Sequence, residues 1–145
     1  MKKILCAIAL LSMISLPARA DDSAALAGKW SVKKVSNEGQ NVTQTIEIKK
    51  DKFVFEILSS DDSVVLHAEG DLKLEKLGPF TVARFTNIKA GSASNLQDVD
   101  DVYTSIYTLD DDAWTMASGF DKQRDSQKPS VDVYHHVKAA AKPAK

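Results

Sequence analysis

The sequence predicts an all-β fold, a single antiparallel up-and-down barrel of about eight strands, and three observations lead there. Apolar residues recur with a period near two along much of the chain, which puts alternate side chains on one face of a strand. The alternating segments are rich in Val, Ile, Thr, Phe and Tyr, residues that pack well on a pleated surface. Turn residues punctuate them at short intervals, and consecutive hairpins that close into a barrel leave no exposed edge.

Taken in order, the first strand covers roughly Lys29 to Val35, and Asn37-Glu38-Gly39 supplies the turn that ends it. The second runs from Val42 to Lys49. There Ile46 and Ile48 point one way while Thr45, Glu47 and Lys49 point the other, as in a sheet with one wet face. After a turn at Lys50-Asp51, Phe53, Phe55 and Ile57 alternate with Val54 and Glu56 in the third strand. The polar loop Ser59-Ser60-Asp61-Asp62 leads to a long fourth strand, Ser63 to Leu74. Gly70, in its middle, predicts the bulge or bend by which a strand turns a barrel corner.

Gly78-Pro79 marks the next turn, and Phe80 to Ile88 reads as the fifth strand. Lys89 to Asp98 is small and polar without periodicity, and reads as a loop. Val102 to Leu109 and Ala113 to Ser118 form a hairpin across Asp110-Asp111-Asp112, and Val131 to Val137 is the last strand. A short helical turn at Asp22 to Ala27, capped by Asp22 or Ser23, precedes the barrel. Residues 139–145, an Ala, Lys and Pro tail, are expected to be disordered.

The amino end reads as a cleavable export signal covering residues 1–20. Lys2 and Lys3 precede an apolar run from Ile4 to Leu16, too short to span a bilayer, which takes about 20 residues. Pro17 breaks that helix, and Ala18-Arg19-Ala20 offers the small-x-small pattern of a peptidase site, with Asp21-Asp22 beyond it. The expected location is therefore periplasmic or extracellular, with no membrane association after cleavage. Cys6 is the single cysteine and lies in the discarded segment, so the domain from residue 21 to 138 would hold no disulfide, thiol catalyst or Cys-ligated metal. Losing Lys2, Lys3 and Arg19 from 19 basic residues leaves 16 against 20 acidic, a charge of −4 that disfavours nucleic acid as a partner.

No nucleophile elbow, phosphate-cradling glycine loop or His-Glu-x-x-His helix is present, and the expectation is a protein that is not an enzyme and carries no cofactor. His135 and His136 are adjacent on a strand and project to opposite faces, so they do not chelate one ion; one should face outward and the other pack near the barrel end. His67 reads as a partly buried histidine. Asp98, Asp100, Asp101 and the run Asp110 to Asp112 lack the spacing of a calcium loop and read as turn residues, so no metal site is assigned. Asn41-Val42-Thr43 is a glycosylation sequon, which matters only in a eukaryotic secretory pathway, whereas the export signal looks bacterial.

Leu26-Ala27-Gly28-Lys29-Trp30-Ser31-Val32 resembles the Gly-x-Trp opening of the lipocalin superfamily. Further segments are similar in order and spacing to small secreted bacterial lipocalin-like domains: Asp51-Lys52-Phe53, His67-Ala68-Glu69-Gly70, Ile106 to Asp110 and Val133 to Val137. The resemblance spans nearly all of the chain beyond residue 20. It implies that Gly28 admits the chain tightly to the barrel while Trp30 plugs the closed end. It also implies a basic residue over that tryptophan, and here the sequence departs from the pattern: there is no clear equivalent, Lys138 and Arg124 being only weak candidates.

On this reading the protein is a secreted, non-enzymatic binder of a small apolar ligand. Phe53, Phe55, Phe85, Tyr103, Tyr107 and Trp114 are the candidate cavity lining, although an eight-stranded barrel can also be filled by such side chains. The alternative is a protein-binding module, such as a periplasmic protease inhibitor that begins with a similar Leu-x-Gly-x-Trp segment, with residues 21–25 as its inserting arm. Oligomeric state is left open.

Overall fold

A computed structural model describes residues 23–120 and 128–138. The proposed signal, Arg124 and the carboxyl-terminal tail lie outside these residues.

Residues 23–25 form one helical turn, after which nine antiparallel strands follow. They are β1 (Gly28–Val35), β2 (Asn41–Lys49), β3 (Lys52–Leu58), β4 (Val64–Leu77), β5 (Phe80–Ser92), β6 (Asn95–Val99), β7 (Tyr103–Asp110), β8 (Ala113–Ser118) and β9 (Ser130–His136). Each strand from β1 to β5 pairs with the next, β5 also pairs with β7, and β7, β8 and β9 follow in turn. The pairing of β9 with β1 closes an eight-stranded barrel. β6 is an extra strand on the far half of β5.

That extra strand corrects the loop expected at Lys89 to Asp98. Ladder pairs run from Ile88↔Val99 to Ser92↔Asn95, leaving Ala93 and Ser94 as a two-residue turn. The hairpin depends on Gly91, whose φ is +155°; a Cβ there would stand 2.3 Å from the Asn95 carbonyl oxygen. Small residues that let two backbones approach this closely carry no hydrophobic period to read.

Gly70 turns the corner as its position suggested. The β4–β5 register breaks between Glu69↔Lys89 and Asp71↔Thr86, so β5 carries one extra residue across from Gly70. Asn87 takes up the bulge with φ +50°, and its amide donates to the Asp71 carboxylate at 2.6 Å. A Cβ on Gly70 would lie 2.6 Å from the Thr86 carbonyl oxygen and 2.9 Å from the Phe53 ring. Below the bulge β5 pairs with β7, and above it with β6.

The β1–β9 seam is the weakest join in the wall. Its ladder registers two pairs, Trp30↔His136 and Ser31↔His135, and the Val137 amide adds a bond to the Lys29 carbonyl at 2.7 Å. Beyond them the strands are linked by side chains, chiefly Lys34 to Asp132 at 2.7 Å.

Candidate functional site

The two ends of the barrel interior differ, and the difference begins with strand phase. Counting by two from Trp30 along β1 turns Val32 and Lys34 inward, and counting from Tyr134 along β9 does the same for Asp132 and His136.

One end is filled. Leu26, Trp30 and Trp114 are almost wholly buried there. The Trp30 indole N–H donates to the Leu26 carbonyl at 2.9 Å, tying the helical turn across the barrel end. Trp114 meets Trp30 edge-on at a centroid distance of 6.0 Å, and Tyr107 meets Trp114 at 6.5 Å. Aromatic pairs of this kind add about 0.5–1.5 kcal/mol beyond burial. The Trp114 N–H finds no acceptor among the described residues.

His136 completes this plug, 4.9 Å from Trp30 at an interplanar angle of 89°. The strand thus brings His136, rather than Lys138, onto the tryptophan; Lys138 reaches the surface carboxylate of Asp112 at 3.7 Å. Gly28 makes the arrangement possible, because its φ of +124° is one that side chains avoid and a Cβ there would stand 2.7 Å from His136 Nε2. His135, one residue earlier, is exposed on the outer face.

The other end encloses a cavity of about 440 Å³, partly open to solvent. Phe53 and Phe85 pack edge-to-face at 5.0 Å and both line it, as do Phe55 and Tyr103. Tyr107 and Trp114 were expected in that lining too, but they belong to the opposite plug, 3% and 0% exposed. Strand alternation told which residues face inward, not how far along the axis each one sits.

The lining also has a polar part, made of residues that nothing in the sequence singled out. Lys34 and Asp132 form an ion pair at 2.7 Å, with side chains 31% and 19% exposed. Next to them the Tyr134 hydroxyl donates to Gln44 Oε1 at 3.1 Å. Burial, and then the neighbouring Asp132 carboxylate, push the Tyr134 phenol well above its ordinary pKa, so it stays protonated. On β7 and β8, the Ser105 and Ser118 hydroxyls, which also line the cavity, lie 2.6 Å apart.

His67 lies on the outer face, opposite Glu56 in the β3–β4 ladder, with Nδ1 3.3 Å from Glu56 Oε1. Among the described residues, no three His, Asp or Glu side chains converge as a metal site would require. Asp111 and Asp112 form the β7–β8 turn as their spacing suggested, and Asp101 accepts from the adjacent Val102 amide at 2.8 Å, whereas Asp98, read as a turn residue, lies in β6 opposite Lys89.

Comparison with protein-family models, curated proteins and solved structures finds no match to this chain.

Proposed function

We propose that this protein is an exported, non-catalytic carrier of a small, largely apolar molecule, built on a lipocalin-like barrel. The cavity supports the reading most directly. It is about 440 Å³ in a barrel whose other end is packed solid, and its volume falls within the roughly 300–1,000 Å³ of small-molecule sites. A water occupies about 30 Å³ in the liquid, so the space corresponds to about fifteen waters. The Gly28, Trp30 and His136 arrangement at the closed end supports the lipocalin-like assignment, and the apolar run before Ala20 supports export.

The neutral fluorophore N-phenyl-1-naphthylamine tests the carrier role. The chain from residue 21 onward should bind it saturably, one to one, with enhanced emission. Ala68→Phe, which places a ring in the cavity wall, should abolish binding while the circular dichroism spectrum stays that of the parent. Absence of saturable binding, or equal binding by the filled variant, would refute the proposal.

A further inference from the structure

The cavity lining changes character around the barrel. β3 to β6 contribute only apolar side chains, among them Phe55, Leu66, Ala68, Phe85, Ile88 and Val99. On β1, β2 and β9 the lining is Lys34, Gln44, Asp132 and Tyr134 with the apolar Ile46 among them, and β7 and β8 add the Ser105 and Ser118 hydroxyls beside Met116. A purely apolar guest would displace water from this second wall and offer its donors and acceptors nothing in return.

Charge decides which guest fits. Lys34 presents an ammonium donor and Asp132 a carboxylate acceptor within 2.7 Å of each other, so the polar wall is neutral as a whole. A guest carboxylate would meet Lys34 but stand beside the Asp132 charge. A guest ammonium would meet Asp132 but stand beside Lys34. Only a neutral group that both donates and accepts can engage the two ends without breaking the ion pair. The protonated Tyr134 hydroxyl, bonded to Gln44, extends the same mixed donor and acceptor surface.

We infer that the ligand is a neutral amphipathic molecule, apolar along the side that meets β3 to β6 and bearing an amide or hydroxyl group that meets Lys34 and Asp132. This rests on the carrier reading and adds the ligand class to it.

Displacement of N-phenyl-1-naphthylamine by decanamide, decanoate and decylamine at pH 7.5 tests the inference, since the three share a chain and differ in head-group charge. Decanamide should compete about tenfold more strongly than either ion, equivalent to about 1.4 kcal/mol. Asp132→Asn leaves Lys34 unpaired and should make decanoate the best competitor, whereas Lys34→Met should favour decylamine. The two variants read the same wall independently, so one folded variant suffices. Equal competition by all three, an ion preferred by the parent protein, or an order unchanged in the variants would overturn the inference and leave the carrier reading standing. Failure of the fluorophore itself to bind would remove both.

Discussion

Replacing Gly28 by Ala should destabilise the barrel through two separable effects. The first is backbone strain: φ at Gly28 is +124°, and holding a side-chain-bearing residue there costs about 1–3 kcal/mol. The second is steric, because the new methyl would lie 2.7 Å from His136 Nε2, and overpacking of a well-filled region costs about 1–3 kcal/mol. Together they amount to about 2–6 kcal/mol, a large part of the roughly 5–15 kcal/mol that holds a domain folded. A double-mutant cycle separates them. His136→Ala alone loses its edge-to-face contact with Trp30, about 0.5–1.5 kcal/mol. In that background Gly28→Ala should cost only the backbone part, giving a coupling of about 1–3 kcal/mol of opposite sign to the single-mutant costs. Urea unfolding followed by tryptophan emission suits the measurement, since Trp30 and Trp114 are both buried in this end. If Gly28→Ala costs the same with and without the imidazole, then His136 is not what excludes a side chain, and the account of the closed end is wrong.

Trp30→Phe and Trp114→Phe remove similar volume from equally buried sites, but only the first strips a donor from the Leu26 carbonyl; Trp30→Phe should be the more costly by about 1 kcal/mol in chemical denaturation, and equal costs would contradict that role for the indole N–H. Asp71 is held below its ordinary pKa by hydrogen bonds from Lys52 and then Asn87. A depressed folded-state pKa contributes stability above the unfolded value, near about pH 3.9, and loses it as pH falls through the folded value. Asp71→Asn should therefore lower the urea midpoint at pH 7, with the gap to the parent closing below about pH 3.9; a gap that persists undiminished in acid would show that the carboxylate charge is not what stabilises the bulge.

The barrel was legible because its strands alternate and its turns use Gly39, Asp62 and Gly78 at positive φ, chemistry visible in the residues themselves. The β5–β6 hairpin was not, since Ala90, Gly91 and Ser92 pair through backbone groups that any small residues supply. The polar wall was missed for a different reason. Lys34, Gln44 and Asp132 are charged and amide residues of the kind that ordinarily face water, whereas their phase relative to Trp30, Ile46 and Tyr134 turns them inward. Phase is the signal that could have found them. The position of each ring along the axis depends on strand stagger, which comes from pairing register and is not written in any one strand.

The sparse β1–β9 join has a consequence in time as well as in space. Lys34 and Asp132 are 98 residues apart in sequence, whereas most other joins in the barrel are hairpins between successive strands. Closing so long a loop costs chain entropy before its contacts repay it, so the hairpins are expected to assemble first and the seam to close last. Trp30 reaches Trp114 and His136 only at that step, and a late phase in tryptophan emission during refolding would register it. Until then β1 and β9 are both bare sheet edges, open to pairing with another chain. The rate of closure therefore sets how long each newly made molecule stays vulnerable to association.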